Sequence, residues 1–131
     1  MDTNAKHTIL IVDDDKFLLS MYQMKFGKAG WTVEASLNAT EALQKLRDGL
    51  LPSAIMFDLI MPGIDGVEFL RTLRKEKIAP HAALVALTNQ GQSENIEQVK
   101  VLGVNGYIVK ASTIPSEVVS MVERITSEKK K

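Results

Sequence analysis

The stretch Thr8-Ile-Leu-Ile-Val-Asp-Asp-Asp15 decides the fold. Its first five residues are apolar or β-branched without alternation, which predicts a short strand buried on both faces. The three carboxylates end that strand and supply a cap for a following helix. Leu18, Met21, Tyr22 and Phe26 recur at helical spacing and predict that helix, stopped at Gly27 or Gly30. The same strand-then-helix unit recurs along the chain. Trp31-Thr-Val-Glu-Ala35 precedes a helix opened by the capping-box pattern Asn38-Ala-Thr-Glu41 and carrying Leu43, Leu46 and Leu50. Ala54-Ile-Met-Phe57 ends at Asp58, and the loop Met61-Pro-Gly-Ile-Asp-Gly66 leads into a helix with Val67, Leu70 and Leu73 inward. Ala82-Ala-Leu-Val-Ala-Leu87 ends at Thr88. Ser93 is the expected cap of a helix that carries Ile96, Val99 and Leu102 and is bracketed by Gly91 and Gly103. Gly106-Tyr-Ile-Val109 ends at Lys110, and Pro115 suits the first turn of a last helix striped by Val118, Val119, Val122 and Ile125.

Five such units predict an α/β fold, a parallel sheet with helices on both faces. Right-handed crossovers favour a doubly wound sheet in strand order 2-1-3-4-5. The 131 residues make one domain, with a core over about 7–127 and a basic tail over 128–131. Sixteen basic residues balance sixteen acidic ones, which excludes a polybasic nucleic-acid or membrane binder on bulk charge. The absence of cysteine excludes disulfide scaffolds, thiolate metal sites and cysteine catalysis. No apolar run reaches a membrane span, and the polar start lacks a signal-peptide core, so the cytoplasm is the expected location. The six methionines read as core.

In a doubly wound sheet, ligands bind beyond the carboxyl ends of the strands. The polar residues gather there: Asp13 and Asp14, Asp58, Thr88 and Lys110. Three carboxylates packed together repel one another unless a cation joins them. An all-oxygen set suits Mg²⁺ or Mn²⁺. A divalent ion beside a lysine makes a place for a phosphoryl group, which an aspartate can accept as an acyl phosphate.

Four pieces carry a resemblance: Ile9-Leu-Ile-Val-Asp-Asp-Asp15, Phe57-Asp-Leu-Ile-Met-Pro-Gly-Ile-Asp-Gly66, Leu87-Thr88 and Gly106-Tyr-Ile-Val-Lys110. Together, in order on the expected strand ends, they resemble the receiver domain of two-component response regulators over residues 7–127. The resemblance implies a flavodoxin-like (βα)5 fold and a phosphorylation-controlled switch rather than a dedicated enzyme. It implies Asp58 as phosphoacceptor, and Asp13, Asp14, Asp58 and the carbonyl of Ile60 as ligands of Mg²⁺ or Mn²⁺. Lys110 is then the partner of the phosphoryl oxygens, Thr88 their hydrogen-bond donor, and Tyr107 the aromatic that changes rotamer. The implied phosphodonor is a histidine kinase or a histidine phosphotransfer protein. Self-phosphorylation and self-dephosphorylation are also implied. The implied output surface is the fourth helix, fifth strand and fifth helix. Its outer residues Glu94, Gln98 and Val101 suit a reversible partner or a phosphorylation-dependent homodimer.

The chain departs from that family at two places. Asn89 stands where a small residue is usual after the threonine, and Ala111 where a proline usually follows the lysine in a cis peptide. A non-proline cis bond costs about 2.5–4 kcal/mol, so a trans Lys110–Ala111 bond is expected. Ile60 and Gln90 flank the phosphoryl position, and Ile60 offers no group to orient water, so slow self-dephosphorylation is expected. Asp15 and Asp65 read as helix caps outside the site, and His7 and His81 as surface residues. Three other functions fit the sequence less well. A haloacid-dehalogenase-type phosphatase needs a second aspartate where Ile60 stands. An FMN binder needs a glycine- and hydroxyl-rich phosphate loop where the three aspartates stand. A receiver-like interaction scaffold that is never phosphorylated has no need of the intact site.

Overall fold

The computed structural model describes residues 7–89 and 93–129. Gln90, Gly91, the N-terminal residues before His7 and the last two lysines lie outside the described residues, as does the side chain of Glu94. The apolar runs become β1 (Thr8–Val12), β2 (Thr32–Ser36), β3 (Ala54–Asp58), β4 (Ala83–Thr88) and β5 (Gly106–Val109). The amphipathic segments become α1 (Lys16–Lys28), α2 (Ala39–Arg47), α3 (Gly66–Glu76), α4 (Ser93–Leu102) and α5 (Pro115–Lys129). All strand pairs are parallel, in the order β2-β1-β3-β4-β5.

Local chemistry starts the helices where the sequence predicts. Asp15 accepts from Leu18 N at 3.1 Å, Asn38 from Glu41 N at 2.8 Å and Asp65 from Glu68 N at 2.9 Å. Each thereby satisfies one of the amides that a first turn leaves without an intrahelical partner. Pro115 occupies the first position of α5, where its missing N–H is harmless. Of the two glycines expected to stop α1, Gly27 lies inside it and Gly30, whose φ is +97°, turns the chain. The expected cap by the Ser93 side chain lies outside what the structure describes.

The sheet separates two apolar layers. Leu10, Val12, Ile55, Phe57, Leu84 and Ala86 face α2, α3 and α4. Ile9, Ile11, Met56, Val85, Leu87 and Ile108 face α1 and α5. The expectation that the methionines are core holds only in part. Met56 and Met61 are buried, Met21 and Met121 half-buried, and Met24 is 51% exposed. The reason lies in α1, which is apolar on both sides: Leu19, Tyr22 and Phe26 pack inward, leaving Phe17 and Met24 in solvent. No helix among the described residues is long and apolar enough to cross a membrane.

Candidate functional site

Strand parity aims the polar residues. Side chains alternate across a strand, so each residue continues the row two positions earlier. Ile9 and Ile11 continue into Asp13, Met56 into Asp58, and Ile108 into Lys110, all on the α1/α5 side of the sheet. Leu84 and Ala86 continue into Thr88, on the opposite side with α3 and α4. The β1 ladder extends one residue past the strand, since Asp13 N donates to Ser36 O at 3.1 Å.

Lys110 Nζ stands between two carboxylates. It donates to Asp58 Oδ2 at 2.8 Å and forms an ion pair with Asp13 Oδ2 at 3.0 Å. Asp13 is fully buried and Asp58 only 4% exposed, whereas Asp14 is exposed at the rim. Carboxylate oxygens of Asp13, Asp14 and Asp58 lie within 4.8 Å of one another. The other oxygens are held by backbone: Asp15 N donates to Asp13 Oδ1 at 3.0 Å and Ile60 N to Asp58 Oδ1 at 3.2 Å. Asp13 Oδ2 faces the ammonium charge without hydrogen-bond geometry.

The charges of this cluster are unevenly compensated. Burial pushes the Asp13 carboxyl above its ordinary range, against the lowering effects of the Asp15 amide and Lys110. Burial opposes the charge on Lys110, but the hydrogen bond and charge of Asp58, joined by Asp13, outweigh it and hold the ammonium above its ordinary value. Among the described residues Lys110 pairs with two of the three carboxylates, Asp13 and Asp58. That donor set, all oxygen and crowded, fits a divalent cation such as Mg²⁺ or Mn²⁺.

The remaining expected residues surround this core. Thr88 is buried, and its hydroxyl donates to Asn89 O at 3.0 Å. Ile60 and Asn89 point outward at the rim. Tyr107 is on the α4 side, 40% exposed, with Lys100 Nζ 5.3 Å from its ring centroid. The Lys110–Ala111 bond is trans, and Lys110–Ser112 form a single 3₁₀ turn. His7 is half-buried rather than superficial, its Nδ1 lying 3.2 Å from Ser53 Oγ at the opposite edge of the sheet, while His81 is exposed.

Two residues near the site carry only a structural signal in the sequence. Gly66 opens α3 against the end of β3. A Cβ there would lie 2.4 Å from Asp58 O and 2.6 Å from Leu59 Cα, so only glycine fits. Tyr22 is 1% exposed on the α1/α5 side, beneath the Asp13, Asp58 and Lys110 rows. A glycine following Asp65 was a legible signal for the first, but helical spacing alone conceals the second.

Residues 9–123 match the response regulator receiver domain. The chain belongs to that family. The receiver is 33% identical over 127 residues to the transcriptional regulatory protein ResD of Bacillus subtilis, covering 95% of this chain and 50% of that protein. It is 29% identical to the phosphate regulon transcriptional regulatory protein PhoB of Pseudomonas aeruginosa, covering 90% of this chain and 51% of the relative. The chain thus spans about half the length of these curated relatives. A solved receiver domain from Methanospirillum hungatei superposes with a TM-score of 0.86 at 25% identity, covering 96% of this chain and 98% of that one. A response regulator from Chloroflexus aurantiacus superposes with a TM-score of 0.83 at 32% identity, covering 93% and 98%.

Proposed function

We propose that this receiver accepts a phosphoryl group on Asp58 from a histidine kinase or histidine phosphotransfer protein and relays that event to a protein partner. One observation carries the reading: Lys110 Nζ lies 2.8 Å from Asp58 and 3.0 Å from Asp13, inside a cluster of three carboxylates. Asp13, Asp14, Asp58 and the carbonyl of Ile60 are the residues that would hold Mg²⁺ or Mn²⁺. Such an ion, when bound, offsets the negative charge that a phosphoryl group and the carboxylates bring together.

The chain's own residues do the rest. An oxygen of Asp58 attacks the phosphorus, forming the P–O bond of an acyl phosphate. The P–N bond to the donor imidazole breaks, and the imidazole leaves with the electron pair. Lys110, already paired with Asp58, turns its ammonium to the phosphoryl oxygens, which carry about −1.5 to −2 charge. Thr88 exchanges its bond to Asn89 O for one to a phosphoryl oxygen. Because Thr88 lies on the α4 side of the sheet, its movement opens space that Tyr107 of the neighbouring strand can enter. A local change of this kind acts by biasing a surface with two arrangements, here α4, β5 and α5.

The test is intact-mass measurement after exposure to acetyl phosphate, with and without Mg²⁺. One phosphate should add in a Mg²⁺-dependent, hydroxylamine-labile form, and Asp58→Asn should not label. A hydroxylamine-stable adduct or full labelling of that variant would refute the assignment. No labelling of the wild type would favour the scaffold reading.

A further inference from the structure

Tyr107 stands at the surface beside a cation. Its ring is 40% exposed, and the Lys100 ammonium lies 5.3 Å from the ring centroid. That is within the distance at which an aromatic face attracts a positive charge. The ammonium also stands 3.7 Å from Glu97, one turn earlier on α4. Lys100 and Tyr107 belong to different elements, so their contact spans the junction of α4 and β5.

Hydrogen bonds pin the backbone on both sides of that junction. On β5, register pairs Tyr107 with Ala86 and Val109 with Thr88. Just before the strand, Asn105 N donates to Leu84 O and Leu84 N to Asn105 Oδ1, each at 2.8 Å. At the end of α4, Gly103 N donates to Val99 O at 2.9 Å, and Arg74 of α3 donates to both Leu102 O and Gly103 O. Val99, the neighbour of Lys100, is fully buried. With strand and helix end held, Tyr107 moves only about its own side-chain bonds, and the ammonium reaches its ring from a fixed anchor. Ala86 faces α4, so Tyr107 does too, two positions short of Thr88 along the strands. A ring that swings toward Thr88 leaves the cation behind.

We propose that Lys100 is a latch on Tyr107: its ammonium holds the ring in the exposed arrangement, and the phosphoryl-dependent movement has to break that contact. This deepens the phosphoacceptor reading and rests on it. A group at Asp58 that favours the inward ring binds with an apparent affinity reduced by the fraction of molecules whose ring is inward. The cation–ring attraction lowers that fraction, so Lys100 sets a threshold for the switch without touching the acidic cluster. Removing its charge should bias the domain toward the phosphorylated arrangement before any phosphoryl group arrives.

The experiment uses the full chain and two variants: Lys100→Gln, which removes the charge, and Lys100→Arg, which keeps it. Calorimetry gives the apparent affinity for beryllofluoride in Mg²⁺. Fluorine NMR of fluorotyrosine-labelled protein follows the ring, the Tyr107 resonance being told from that of Tyr22 with Tyr107→Phe. Lys100→Gln should bind beryllofluoride about two- to fivefold more tightly, the worth of one exposed cation–π contact. Lys100→Arg should match the wild type. The Tyr107 resonance of ligand-free Lys100→Gln should shift toward its beryllofluoride-bound position. In a Tyr107→Leu background, Lys100→Gln should change nothing, as a pairwise coupling requires. Equal affinity in wild type and Lys100→Gln overturns the latch and leaves the phosphoacceptor reading standing. So does a gain that survives in Tyr107→Leu, is copied by Lys100→Arg or Glu97→Gln, or comes with a Tyr107 resonance that bound beryllofluoride does not move. A wild type that neither binds beryllofluoride nor labels with acetyl phosphate overturns both.

Discussion

Asp14 is the carboxylate whose removal should strengthen the metal-free protein. It is exposed and pairs with no cation among the described residues, while Asp13 shares Lys110 with Asp58. Asp14→Asn keeps the shape and removes two close repulsions, set against one longer-range attraction to Lys110. Its oxygen lies within 4.8 Å of an oxygen of each buried carboxylate. At that separation each pair repels by about 0.9 kcal/mol in water, and by several times more in a protein-like dielectric. Exposure places Asp14 near the water limit, so the two pairs together cost about 1–2 kcal/mol. For a domain of this size, that is a rise of roughly 3–8 °C in melting temperature. The assay is thermal and urea unfolding of wild type and Asp14→Asn, each in chelator and in millimolar Mg²⁺. A cation bound to the folded wild type adds stability by mass action. The variant lacks a ligand, so it should gain less. The order of stabilities therefore narrows or reverses on adding Mg²⁺. A less stable Asp14→Asn in chelator, or an equal Mg²⁺ gain in both proteins, would refute the claim that like-charge crowding is the strain at this site.

Alkaline pH should unfold the receiver in a recognisable way. Tyr22 is raised to about 12 from 10.0, and Lys110 is raised above 10.5. Each holds its proton more tightly folded than unfolded, so each contributes stability present below its unfolded pKa and lost as pH rises through the folded one. Melting temperature should fall from about pH 10 upward, and tyrosinate absorbance in a Tyr107→Phe background should rise near pH 12. A midpoint near 10 would show that Tyr22 is not buried in this way. Gly66→Ala should cost about 1–3 kcal/mol in denaturant unfolding, the range for overpacking. It should also slow acetyl phosphate labelling, because the added methyl collides with the carbonyl of Asp58 itself. Thr88→Ala should still label, yet show less hydrogen-exchange change over residues 93–107 on addition of beryllofluoride and Mg²⁺. An undiminished change would separate Thr88 from the α4 response. Arg74 of α3 donates to Leu102 O at 3.0 Å and also to Gly103 O, tying down the end of α4. Arg74→Met should therefore speed amide exchange at residues 102–105, and unchanged exchange would show that the tie is dispensable.

The sequence by itself determined the strands, the caps and the edge on which the polar residues meet. The strands were legible because buried parallel strands read as unbroken, mostly apolar runs, as in Thr8–Val12 and residues 54–57. Asp15, Asn38 and Asp65 were legible because capping is local, set by a side chain and an amide three residues on. Asp13, Asp58, Thr88 and Lys110 could be gathered without coordinates, since parallel strands with right-handed crossovers bring every carboxyl end to one edge. Only the tertiary structure decided which of them touch. Lys110 lies beside Asp58 and Asp13 because all three continue rows on the α1/α5 side, while Thr88, one row over, belongs to the α4 side. That distinction depends on strand register, which pairs residues 45 positions apart between β1 and β3 and 21 apart between β4 and β5. The inward face of α1 was equally hidden. With Phe17, Leu18, Met21 and Met24 competing against Leu19, Tyr22 and Phe26, periodicity offers two stripes, and packing against the sheet and α5 chose the one that carries Tyr22 beneath the acidic cluster.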